Sequence, residues 1–314
     1  GVTTFLQHYF IQILFSNRKN RMFGYMANKS IIIPVILLFI CPLMGCDLSR
    51  ATSNDGAEKG VHPLRDDHFK NSIGMEFKRI PAGSFFMGSP VTEKNRSSDE
   101  WLRLVEIKTP FYLGIYEVTQ AQWRAIMSYN PSYFKGDDQP VEQVSWIDAS
   151  IFIDRLNAKE QTDKYRLPTE VEWEYACRSG TSGPFSFGNC LSTAEANYNG
   201  NYPYSGCMKG EYLRKTLPVG SLRANAFGLY DMHGNVMEWC QDRYDKSSNN
   251  PNPSLNIRNL TMDVLRVVRG GGWYLPAYLC RSAHRDIYRQ GYGCDAMGFG
   301  VLRMPSPAPG NCDI

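Results

Sequence analysis

The stretch Gly228-Leu229-Tyr230-Asp231-Met232-His233-Gly234-Asn235-Val236-Met237-Glu238-Trp239-Cys240 gathers two carboxylates, an Asn, a His and two glycines in one short segment. Asp231 and Glu238 are hard oxygen donors. Gly234 lets the backbone bend sharply enough to aim main-chain carbonyls at the same centre, which is how Ca2+ collects its roughly six to eight oxygens. No EF-hand spacing is present. The same residues also suit a polar turn in which Asp and Asn satisfy neighbouring amides, with His233 as a surface residue of that turn.

Other reactive side chains are sparse. Only five histidines occur in 314 residues, and His62 and His68 lie far toward the N-terminus. Glu170, Glu172 and Glu174 are spaced for caps and for ion pairs with nearby arginines more readily than for acid–base work. The apolar run Ile31 to Cys41 after Lys29 is too short to span a membrane comfortably and has the length of a signal-peptide core. It ends in Leu43-Met44-Gly45-Cys46, which resembles a bacterial lipobox with Cys46 as the lipid-bearing residue; an ordinary signal with a chance Cys is the alternative.

Of nine cysteines, Cys41 would leave with the signal and Cys46 would carry lipid. Export makes disulfides the default for the other seven, and the odd number leaves at least one thiol unpaired. Cys190 and Cys207 are the nearest pair in sequence that brackets a loop. No Cys or His spacing fits zinc.

The elements that must position these groups are legible in outline. Residues 1–46 read as upstream residues, signal and lipobox, 47–71 as a polar tether, 72–304 as one domain and 305–314 as a tail. Met75 to Pro81 reads as a strand stopped by proline, with Phe85-Phe86-Met87-Gly88 returning as the second arm of a hairpin. The charged run Thr92 to Glu100 reads as a solvated loop without chemistry. Phe111 to Tyr116 suits a strand. Helices are expected from Thr119 and Ser145, the second burying Ala149, Phe152, Ile153 and Leu156, and a third is entered through Pro168 and Thr169. Gly180 to Leu217 is loop, and strands are expected at Arg266–Arg269 and Phe299–Arg303. A net charge of +3 with no basic stripe argues against nucleic acid, while 27 glycines and 13 % aromatic residues point to a loop-rich fold.

Gly228 to Trp239 closely resembles the signature of the formylglycine-generating enzyme, or sulfatase-modifying factor, family. Further matches follow in the family's order: Ile80 to Phe85 with Met87-Gly88-Ser89, Tyr116 to Thr119, Pro140-Val141 through Val144-Ser145-Trp146, Arg166 to Glu170 with Glu172 to Ala176, Arg269-Gly270-Gly271 and Gly298-Phe299. The resemblance covers roughly Gly74 to Arg303. It implies an α+β fold related to C-type lectins, with little regular secondary structure. It also implies a structural Ca2+ at Asp231, Gly234, Val236 and Glu238, and a second at Asn197 and Tyr198 with Glu211 and Leu213, where loop lengths differ from the family's. A disulfide between Cys177 and Cys280 is implied as well.

The family's oxidases hold copper between two cysteines five positions apart, since soft sulfur suits Cu(I). Here the first of those positions falls on Leu275. The second falls on Cys280 or in a deletion, and the family's peptide-groove segment is replaced by Asp286 to Cys294. Copper is therefore not expected. The expectation is a lipid-anchored module of the cell envelope that holds a protein, peptide or glycan ligand near Trp273, Tyr274, Arg281, His284 and Arg285; core packing is the alternative for Trp273. The rival expectation is an oxygen-dependent oxidase using Cys280, alone or with Cys294.

Overall fold

The computed structural model describes residues 67–244 and 263–306. The expected signal, the lipobox at Cys46 and most of the tail lie outside the described residues. The chain opens with β1 (His68–Lys70), inside the stretch read as tether, and continues with β2 (Glu76–Ile80), β3 (Gly83–Met87), β4 (Arg103–Ile107) and β5 (Phe111–Gly114). β1 belongs to the domain because Phe69 stacks on Phe77, with ring centroids 4.8 Å apart, an apolar contact that a polar reading of the segment missed.

Three helices follow: α1 (Gln120–Met127), α2 (Trp146–Lys159) and α3 (Glu170–Arg178). Each starts at a capping box, with Thr119, Ser145 and Thr169 accepting from the amide three residues on; such caps contribute about 1 kcal/mol each. Trp123 of α1 stacks on Phe152 of α2, and both meet the edge of Phe299. Ala149, Phe152, Ile153 and Leu156 are buried as their helical spacing requires.

The remaining strands are β6 (Tyr165–Arg166), β7 (Met237–Arg243), β8 (Leu265–Arg269), β9 (Asp286–Arg289), β10 (Met297–Gly298) and β11 (Leu302–Arg303). One sheet runs β1-β2-β5-β11-β6 and a second runs β10-β7-β8-β9. β3 pairs with β4 alone, so the expected β2–β3 hairpin does not form. Both edges of β2 are taken by β1 and β5, and β3 instead packs on α3 through Phe85 against Tyr175.

From residue 181 to 236 no strand or helix is assigned, and Cys190–Cys207 closes this segment at a Cα separation of 5.7 Å. That disulfide is the expected one. Among the described residues no helix is long and apolar enough to cross a membrane.

Candidate functional site

The turn before β7 is built around buried charge. Gly234 has φ +90°, and a Cβ there would collide with the Asn197 carbonyl oxygen, so only glycine fits. Asn235, with φ +59° and no exposure, donates from Nδ2 to Glu117 Oε2 at 2.7 Å and accepts at Oδ1 from the Leu217 amide. Glu117 Oε1 accepts the Val236 amide at 3.1 Å, and Asp231 Oδ2 accepts the Gly220 amide at 2.8 Å.

Burial pushes Asp231 up to about 6 and Glu238 to about 7; it lifts Glu117 well above the carboxylate range, with Asp231 and Glu238 adding repulsion. None of the three has an ion-pair partner among the described residues. Buried anions without cations are costly, so this donor set fits a hard cation. Among the described residues no three acidic, His or Cys side chains converge closely enough to chelate by themselves, so the carbonyls of Gly234 and Val236 would have to complete the shell. Glu117 escaped the sequence reading because it lies far from the turn in the chain.

The second implied cation set is engaged in internal hydrogen bonds. Asn197 spends its amide on Lys215 O and Asn235 Oδ1, at 3.0 and 3.1 Å, and Tyr198 donates its hydroxyl to Leu191 O. Glu211 is exposed, and Leu213 is half-buried.

His233 is not a surface residue: it is 2 % exposed. Its Nδ1 lies 2.7 Å from Cys280 O, and its Nε2 accepts the Ser186 amide at 3.0 Å. Burial holds it neutral, down to about 4. Cys177 and Cys280 are free buried thiols, which corrects the implied bridge. Cys177 Sγ turns toward Ser282 Oγ and the His233 ring, at 3.6 and 3.7 Å, while Cys280 Sγ points toward Pro276 O at 3.8 Å. A Cys280–Cys294 dithiol is not formed either. Cys280 packs with Phe185, Tyr198 and Ala277, whereas Cys294 lies against the larger core near Tyr292.

Leu275, where the family resemblance implies the first cysteine, lines a narrow cleft with Met237, Val268, Leu279, His284 and Asp286. The cleft is narrow, with no room for a water molecule in this arrangement. Gly271 also lines it, and a Cβ there would meet Cys280 Sγ at 2.5 Å, so the position needs glycine. His284 and Leu275 were anticipated here; Asp286 was seen only as part of a replaced segment.

The other expected ligand-facing residues turn inward. Arg281 is fully buried and bonds Glu100 and Glu93, members of the loop read as free of chemistry. Arg285 pairs with Glu170 at 2.6 Å, and Trp273 is core, its Nε1 donating to Asp295 O at 2.9 Å. Desolvation explains the correction: a guanidinium without exposure is retained only where carboxylates receive it. Tyr274 remains half-buried beside the cleft. Glu170, Glu172 and Glu174 pair with arginines as their spacing implied.

Residues 70–305 match the sulfatase-modifying factor enzyme 1-like domain. The chain is 32 % identical over 227 residues to the chaperone protein LppX of Paenibacillus barcinonensis, covering 59 % of this chain and 76 % of that protein. It is 33 % identical to the formylglycine-generating enzyme of Streptomyces coelicolor over 177 residues, 55 % of this chain and 52 % of the enzyme; the chain thus spans about half of that relative. The fold resembles PvdO from Pseudomonas aeruginosa with a TM-score of 0.64 at 32 % identity, covering 76 % of this chain and 98 % of that one. It also resembles Treponema denticola variable protein 1 with a TM-score of 0.60 at 26 % identity, over 76 % and 99 % of the two chains. With the domain match extending over most of its length and the signature turn, glycines and ion pairs in place, this chain belongs to the sulfatase-modifying factor family.

Proposed function

We propose that this chain is an exported, lipid-anchored binding or scaffold module of the cell envelope that uses the family's fold without its cysteine oxidation. The observation that carries the reading is Leu275: an isobutyl group lines the cleft where a first thiol would stand, and the Cys280 thiol is fully buried. Burial pushes Cys280 up to about 12, far from the thiolate that Cu(I) requires. A relative that carries the name of a chaperone supports a non-catalytic use of this scaffold. Cys46 would hold the membrane, Ca2+ would pin the turn at Asp231 and Glu238, and the partner would be a protein, peptide or glycan in the same compartment.

The test is a Cu(I) titration of the reduced full chain together with mass spectrometry of a Cys-x-Pro-x-Arg peptide incubated with it in air. Neither stoichiometric copper nor an aldehyde product is expected. A copper-dependent aldehyde would overturn the proposal in favour of an oxidase working through Cys280 and Cys294. Anchoring is checked separately by lipid labelling, which Cys46→Ala should abolish.

A further inference from the structure

Asp286 is a half-buried residue whose carboxylate carries no ion pair among the described residues. Its Oδ1 accepts the Ile287 amide at 2.9 Å, and the Tyr288 side chain hydrogen-bonds to it. The cation that shares the cleft lining with it, Arg269, is already committed: its guanidinium is held by Glu170, Glu174 and the carbonyls of Ser282 and His284. Asp286 therefore lines the cleft with two hydrogen-bond donors on its carboxylate but with no cation paired to it among the described residues.

An independent observation marks the same cavity. His284 is 9 % exposed, and neither of its ring nitrogens has a hydrogen-bond partner. The nearest acid, Glu100 Oε1, stands 3.9 Å from Nδ1, beyond hydrogen-bond reach. A buried imidazole left unsatisfied on both sides costs free energy unless something enters to bond it. Beside these two groups stand Tyr274, close to Asp286 and Asp295, and the stacked pair Tyr288 and Tyr292, with centroids 5.1 Å apart.

We propose that Asp286 and His284 form the floor of a subsite for a primary ammonium on an apolar stem, the lysine side chain of a protein partner. An ammonium has three donors and no acceptor, which matches a carboxylate and a neutral imidazole nitrogen. The stem would lie along Met237, Leu275 and Leu279. Because the cleft is too narrow as it stands, the Leu275 side chain turns out on entry. Its backbone stays, held by Leu275 N to Gly272 O at 3.0 Å and Asn199 N to Leu275 O at 2.9 Å. The inference rests on the binding-module reading and names the chemistry of what is bound.

The test titrates the full chain with Nα-acetyl-lysine methylamide, with the norleucine analogue as a stem lacking the ammonium and the arginine analogue as a planar cation. Chemical shifts or calorimetry provide the readout. Saturable binding of the lysine probe is expected, at least tenfold tighter than either analogue. Asp286→Asn should weaken it about tenfold or more, and Tyr288→Phe, which keeps the ring, should weaken it less. The exposed Glu106→Gln should leave it unchanged. Equal binding of lysine and norleucine probes, or full retention in a folded Asp286→Asn variant, would overturn the subsite. An aldehyde product in the copper assay would overturn the binding-module reading instead, so the two failures are separate.

Discussion

Both carboxylate oxygens of Glu100 face the guanidinium of Arg281, at 2.6 and 2.8 Å, with neither side chain open to solvent. This fork ties the loop before β4 to the segment after the 3-10 turn Ala277–Cys280, and so holds one wall of the cleft. Glu100→Ala should cost about 3–5 kcal/mol, because it strands a buried charge. A Glu93→Gln change should cost less, since Glu100 keeps two bonds. Urea unfolding of both variants measures the difference; equal small losses would show that the fork is dispensable.

If the buried acids of the turn hold a cation, the domain's stability should depend on it. Adding millimolar Ca2+ to chelator-treated protein should raise its Tm, by the linkage between binding and folding. Asp231→Asn and Glu238→Gln should blunt that rise. Glu117→Gln should blunt it as well, because Glu117 shares the same pocket of negative charge. A calcium response unchanged in all three variants would remove the site.

Cysteine chemistry should divide by burial. The Cys190–Cys207 bridge spans a sequence separation of 17, so replacing both by Ser should cost about 3 kcal/mol on a chain-entropy account. Burial drives Cys177 and Cys280 up to about 12, and both should resist alkylation until the protein unfolds. Cys294, half-buried, should react first among the described thiols. Mass mapping of a brief iodoacetamide pulse decides this, and early labelling of Cys177 would contradict the packing.

Asp242 gives the pH dependence a sign. Its Oδ2 accepts the Glu170 amide at 2.7 Å at the start of α3, and burial together with the neighbouring Glu170 charge raises it to about 7. A carboxyl raised in the folded state binds its proton there first. Its contribution is therefore fully present below its unfolded value near 4 and is lost as the pH rises through 7. Asp242→Asn keeps the acceptor without the titration. The variant should gain on the wild type by a few kcal/mol between pH 4 and 8, at roughly 1.4 kcal/mol for each pH unit that separates the folded from the unfolded value. A difference that does not change with pH would refute the assignment.

The local signals in the sequence proved sound where one stretch of chain decides the outcome. Thr119, Ser145 and Thr169 announce three helices because a cap is satisfied within a single turn. The Cys190–Cys207 bridge and the family resemblance were equally legible, the latter because its signature residues keep their order along the chain. Pairings between distant segments were not. The partner of β3, the packing of Phe69, the capture of Arg281 by Glu93 and Glu100, and the burial of His233 all depend on which surfaces meet, and no local period encodes that.

The site shows the same division. The sequence alone put Leu275 where the family resemblance implies a thiol and showed that Asp231 and Glu238 flank a glycine turn. Only the tertiary structure decided that Glu117 joins those two acids, that Cys177 and Cys280 remain apart as thiols, and that an unbonded His284 ring shares a cleft with an Asp286 that no cation pairs. Charge burial and hydrogen-bond satisfaction are properties of packed neighbours, and those neighbours come from opposite ends of the domain.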